Sequence, residues 1–159
     1  MKRMFVLIPV ILLLTSCLVL PPTGEADISL NYSPNPSYDC YYDSYDGWVW
    51  NVDIEIEENN GVSVTLGDYS PNGYCCEAKA YSGGVLVDTY YYSASSVEGW
   101  FGTLNIPAYG SVSESDASFM MGNYADGYMQ EAYYGEDENG NVVSCSNTIY
   151  LENPNKGKK

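Results

Sequence analysis

"GWVWNVDIEIEENNGVSVTL", residues 47–66, decides the fold class. In its first half Trp48, Trp50, Val52, Ile54 and Ile56 share one parity, while Asp53, Glu55 and Glu57 take the other. Successive side chains of a strand point to opposite faces, so this alternation describes a strand with one face in a core and one in water. "NNG" at Asn59 to Gly61 is a turn signal, and "VSVTL" resumes the pattern with Val62, Val64 and Leu66 inward. The two runs together predict a hairpin.

The same reading extends outward. "GVLVDTYYYS" is β-branched and aromatic, "SESDASFMMG" is a weaker strand, and "GYMQEAYYGEDENGNVVSCSNTIYLE" reads as two strands around a second turn at Asn139 and Gly140. No stretch of the body has the three-to-four-residue apolar spacing of a helix. Short strands divided by turn residues predict an all-β fold, an antiparallel sandwich of about seven strands over residues 28–152. In "TYYYS", Tyr90 and Tyr92 must face opposite to Tyr91, so at least one ring reaches the outer surface.

Two stretches carry a family resemblance. The aromatic strand of residues 47–66 and the terminal "YYGEDENGNVVSCSNTIYLE", with its G-x-D-x-x-G-N hairpin, resemble bacterial immunoglobulin-like or fibronectin-III-like surface modules. The resemblance implies an immunoglobulin-like β-sandwich with a structural, adhesive or protein-interaction role. The stretch from Asp68 to Gly102, with its "YCC" pair, does not follow that pattern.

The amino terminus speaks for export. Lys2 and Arg3 precede an apolar run, Phe5 to Leu14, that is interrupted by Pro9 and falls short of the roughly 20 residues a membrane-spanning helix needs. "LTSC" at Leu14 to Cys17 follows at once and resembles the lipobox of bacterial lipoproteins. That resemblance implies a signal peptide at 1–16 and a diacylglyceryl group on the Cys17 thiol, with Cys17 the first mature residue. Leu18 in place of an aspartate implies the outer membrane if the host has one. "PPTGEAD" completes a tether at 17–27, and residues 153–159 form a basic polar tail.

Export into an oxidising compartment bears on Cys40, Cys75, Cys76 and Cys145. Two disulfides are expected, and four cysteines allow three connectivities. Because strand neighbours point apart, Cys75 and Cys76 favour separate partners in Cys40 and Cys145, the rival being a strained Cys75–Cys76 ring with Cys40 joined to Cys145. Each bridge is expected to contribute roughly 2–4 kcal/mol.

Charge and composition limit the chemistry. All 21 acidic residues lie between Glu25 and Glu152, where Lys79 is the lone cation, so a nucleic-acid partner is not expected. The 17 tyrosines and three tryptophans set the chain apart from acidic disordered segments. There is no histidine, which removes Ser-His-Asp and Cys-His catalysis and imidazole metal sites. The chain is therefore expected to be noncatalytic and to need no cofactor. Two binding readings remain. Exposed rings at Tyr42, Trp48 and Tyr91 could stack on sugar faces, making a carbohydrate-binding module. Glu136, Asp137, Glu138 and Asn139 could offer oxygens to calcium at one hairpin tip, although Gly135 stands where a spaced EF-hand loop would begin with aspartate.

Overall fold

The computed structural model describes residues 24–154. The expected signal peptide, Cys17, most of the expected tether and nearly all of the basic tail lie outside the described residues. Ten strands and one helix form two antiparallel sheets packed as a sandwich, rather than the expected seven strands.

The first sheet is built on the alternating aromatic strand β3 (Gly47–Glu58). One flank carries β1 (Ile28–Ser33) and β2 (Cys40–Asp43) end to end, and the other carries β8 (Ser111–Met120). The second sheet is built on β9 (Gly127–Asp137). Along one flank of β9 runs β10 (Val142–Leu151), joined by the turn at Asn139 and Gly140 as expected. Gly140 takes φ +84°, a left-handed conformation that costs glycine little. Along the other flank lie β5 (Cys76–Ser82) and the short β4 (Val64–Leu66), edged by β6 (Val85–Tyr92) and β7 (Asn105–Ile106). Trp50, Val52, Ile54 and Ile56 fill the core from β3 and meet Met129, Tyr133, Ile149 and Leu151 from the second sheet.

The hairpin expected at "NNG" does not form. After Glu58 the chain crosses between the sheets, so β3 and β4 belong to opposite layers. Alternation reports which side chains enter a core but not whether the next strand lies beside or across from it. Glu58 makes the crossing. Its carboxylate is buried and accepts N–H donors from Asn60 (2.8 Å), Gly61 (2.8 Å) and Tyr109 (2.9 Å). Burial pushes this carboxyl up, but the donors outweigh it and hold it below the ordinary range.

A helix was also missed. α1 (Ala94–Phe101) follows β6, with Val97 and Phe101 buried one turn apart. Gly102 closes it at φ +72°, its N–H donating to the Glu98 carbonyl. Eight residues with three small polar or glycine positions give too few apolar repeats for the period to show.

The four cysteines beyond Cys17 are free thiols, which corrects the disulfide-stapled sandwich. Cys76 and Cys145 both pair with Tyr133, one from each side. Two strand spacings, about 9.5 Å, separate them, beyond the roughly 6.8 Å that a disulfide spans. Cys75 faces away from that row. Cys40 pairs with Trp50, whose indole reaches the Glu152 carbonyl, about 23 Å along β10 from Cys145. Burial raises the thiols of Cys75 and Cys145 to about 12 and that of Cys76 further.

The last residues of the expected tether are docked. Ala26 is buried and donates to Asp137 at 3.1 Å, and Gly24 accepts from the Asn139 side chain at 2.8 Å.

Removing the crossover's acceptor in Glu58→Ala lowers unfolding stability by about 2 kcal/mol in urea melts, whereas Glu55→Ala changes it by under about 0.5 kcal/mol. Digestion without reductant yields no peptide linking Cys76 to Cys145; recovery of that pair would refute the strand order.

Candidate binding cleft

The two flanks of the sandwich differ. On one, the Asn147 amide donates to the Leu30 carbonyl at 2.7 Å, and Asn35 exchanges hydrogen bonds with Thr148 and Tyr150. These stitches close β10 against β1 and the segment after it. On the other flank β6 and β8 are both sheet edges, and among the described residues no hydrogen bond joins them. The inward side chains of β5 are Cys76, Ala78 and Ala80, all small. A gap of about 470 Å³ therefore remains between the layers, within the roughly 300–1,000 Å³ range of small-molecule sites.

Period two brings Tyr90 and Tyr92 into this gap, opposite Ala78 and Cys76. Their rings stack at 6.4 Å, and Trp100 from α1 meets Tyr92 edge-on at 4.7 Å. Phe101 packs against Tyr133 at 5.9 Å, and Phe119 from β8 against Tyr32 at 6.0 Å. The mouth is acidic, with Glu114 and Asp116 on β8. At Asp116 the strand is irregular: φ is +57°, and the N–H turns to the Asp53 carboxylate at 3.0 Å.

The floor is polar. Glu131 occupies a core position of β9 and is buried, and Tyr32 donates to its Oε2 at 2.9 Å across the interior. Burial in an apolar setting disfavours the charged form and raises the carboxyl to about 7, with the Tyr32 hydrogen bond opposing the rise. Beside it the hydroxyl of Tyr133, a fully buried residue, has no well-formed hydrogen bond; the adjacent Cys76 thiol is a weak partner. A buried hydroxyl normally finds a strong partner, and one held only by a thiol keeps bonding capacity for a bound molecule.

The residues singled out from the sequence are dispersed. Tyr42 and Trp48 form an edge-on pair at 5.6 Å in the first sheet. Tyr91 lies outward on the second sheet, stacked on Tyr74 at 4.9 Å, while Tyr90 and Tyr92 turn inward as the alternation required. The three rings make no common platform. At the hairpin tip, Asp137 spends its carboxylate on Asn139, Asn141 and Ala26, and Glu138 accepts from Ser63 at 2.8 Å. Asn139 uses its amide on Gly24, and Glu136 faces the opposite side from Asp137 on β9. Among the described residues no group of three or more acids, cysteines or histidines is arranged to hold a metal.

Sequence reasoning missed Glu131 and Tyr133. The signal was present: in "YMQEAYYG", Glu131 shares its parity with Met129 and Tyr133, which makes an acid on the core side of a strand. A second aromatic row was missed as well. Tyr81, Tyr128 and Tyr150 stand in register across β5, β9 and β10 on the outer face, at 4.7 and 6.0 Å.

The chain is similar in structure to Northeast Structural Genomics Consortium target SoR45, known from an X-ray structure, with a TM-score of 0.52 and 13% identity over 82% of this chain and 86% of that one. At that identity the likeness speaks for the two-sheet fold alone. No protein-family model matches the chain. No curated protein matches it either.

Glu131 sets a pH dependence. Its carboxyl is raised from an ordinary 4.5 to about 7, so between those values the folded state holds a proton that the unfolded state has lost. Stability therefore falls as pH rises through that window, by up to about 3 kcal/mol, and levels off above it. Glu58 and Asp137 are shifted the other way, and their contributions change only below about 4.5. Urea melts between pH about 4.5 and 8 show the decline in the wild type, and Glu131→Gln removes about that amount of slope; parallel slopes in the two proteins would contradict the assignment.

Proposed function

We propose that the protein is a noncatalytic, lipid-anchored binding module of the bacterial cell envelope, with the cleft between its sheets as the binding site. The observation that carries the reading is a ligand-sized cleft walled by aromatic rings, with the buried Glu131 and the weakly partnered hydroxyl of Tyr133 at its floor. An enclosed apolar gap with a few convergent polar groups is the usual form of a small-molecule site. The absence of histidine from the chain, and the use of Glu131 as an acceptor for Tyr32, favour binding over turnover.

We read the sandwich as an immunoglobulin-like module enlarged by extra edge strands, in line with the turn chemistry at Asn139 and Gly140. The placement rests on the lipobox: a diacylglyceryl group on Cys17 would hold the product in a membrane, the outer one in a host that has two. Since Gly24 is docked at the β9–β10 turn, that tip would face the lipid. Partners at the envelope are then small ligands or proteins within reach of the surface.

A second reading, glycan binding, is favoured by the outer face. There the Tyr81, Tyr128 and Tyr150 row borders a shallow polar trough lined by Glu77, Lys79, Gln130 and Thr148. Flat rings beside hydrogen-bonding side chains suit a sugar better than the scattered Tyr42, Trp48 and Tyr91 do.

The native product has the mass of a lipidated chain beginning at Cys17, and Cys17→Ala leaves the membrane fraction; an unmodified thiol there would refute the anchor. In a screen of small organic ligands and a glycan array, binding is saturable, shifts tryptophan emission, and is lost in Tyr92→Ala and Trp100→Leu but kept in Tyr42→Ala and Tyr91→Ala. Loss in Tyr128→Ala with the cleft variants intact would move the site to the outer face, and hydrolysis of any ligand would overturn the noncatalytic reading.

A further inference from the structure

We infer that the cleft takes a small organic cation, an amine or quaternary ammonium with an apolar body, held by its aromatic walls and drawn to the carboxyl of Glu131. The inference rests on the cleft being the binding site and names what enters it.

Four features of the cleft converge on that class. Tyr90, Tyr92 and Trp100 present ring faces and edges to one space, and the face of an aromatic ring attracts a cation, by about 2 kcal/mol where water is excluded. Among the described residues Glu131 has no basic partner at the floor, and the hydrogen bond its carboxylate accepts comes from a neutral phenol, so its charged form is uncompensated there. A buried charge of this kind is costly unless paired, and an entering cation pairs it. The hydroxyl of Tyr133 beside it, whose partner is only the weak Cys76 thiol, can bond a hydroxyl or carbonyl carried on the same ligand. Glu114 and Asp116 at the mouth extend the same sign of potential outward, and Lys79, the sole cation of the body, lies on the outer face of the sheet.

The same field disfavours anions. A phospholipid headgroup would bring its phosphate against Glu114 and Asp116, so the ligand is a free small molecule rather than a bilayer component. An inorganic cation would find no cluster of acids to enclose it, since among the described residues none exists.

The proton on Glu131 competes with the ligand. The groups facing this carboxyl are the phenols of Tyr32, Tyr92 and Tyr133 and the thiols of Cys76 and Cys145, all shifted upward and neutral near pH 7, together with Glu114 and Asp116 of β8 at the mouth. Ile54 of β3 and the two rings of α1 add only apolar surface. A cation therefore binds more tightly as pH rises through about 7 and Glu131 loses its proton.

The test is calorimetric titration of the full-length lipidated protein in maltoside micelles with choline chloride and, in parallel, its neutral isostere 3,3-dimethylbutan-1-ol. Choline is expected to bind saturably and about tenfold or more tighter than the isostere. Its affinity rises about tenfold between pH about 6 and about 8 and falls to the isostere's level in Glu131→Gln. Trp100→Leu, checked for native circular dichroism, weakens choline about tenfold and provides a second variant if Glu131→Gln does not fold. If both ligands bind equally and both are lost in Tyr92→Ala, the cation inference is overturned while the cleft remains a site. Choline binding that ignores Glu131→Gln and Trp100→Leu also overturns it. If neither ligand nor any other screened molecule depends on Tyr92, the cleft reading fails with it.

Discussion

A buried side-chain hydrogen bond crosses the interior of the sandwich, from the Tyr32 hydroxyl on β1 to the Glu131 carboxylate on β9. It holds an acid at a position where the alternation of β9 otherwise places Met129 and Tyr133. An unpaired charge in such a setting costs several kcal/mol after relaxation, and one phenol offsets only part of that. The remainder appears as a carboxyl that keeps its proton near neutral pH. Every other polar feature of the cleft takes its meaning from this one group.

The cleft exists because the sandwich is closed on one flank only. Asn35 and Asn147 stitch β10 to the first sheet, while β6 and β8 stay apart with α1 packed into the gap at one end. Small inward residues on β5 keep the layers from filling the space, and tyrosines on β6 line it instead. The fold thereby turns an edge, ordinarily a liability for aggregation, into the rim of a ligand-sized cleft. Rings, small residues and one acid act together, and changing any of the three would alter the volume or its electrostatics.

Much of the fold was legible from alternation. β3 and the β9–β10 hairpin follow period two, β6 shows in its β-branched and aromatic composition, and the Asn-Gly turn marks its hairpin by the backbone freedom that glycine brings. The crossing after Glu58 was not legible, because Val62, Val64 and Leu66 show the same parity whether β4 lies beside β3 or across from it. Its only sequence mark is an acid at an inward position, and Glu131 carries the same mark. Both read as surface charge until the parity of their strands is followed to the end. The cysteines were misjudged for a different reason: their number and the expected compartment favoured bridges, but the register sets Cys76 and Cys145 on either side of Tyr133. The tyrosines chosen for binding were exposed rings, whereas the rings that converge are the inward ones next to them.

The central claim is that Glu131 is an uncompensated acid in a ligand-sized cleft. Carboxyl carbon NMR on protein labelled in glutamate, with the Glu131 signal assigned from its loss in Glu131→Gln, tests it most directly. A Glu131 carboxyl titrating near pH 7 is the predicted outcome. A Glu131 resonance that titrates near or below its ordinary value of 4.5 would mean that the carboxyl is solvated or paired, and the cleft as described would not exist.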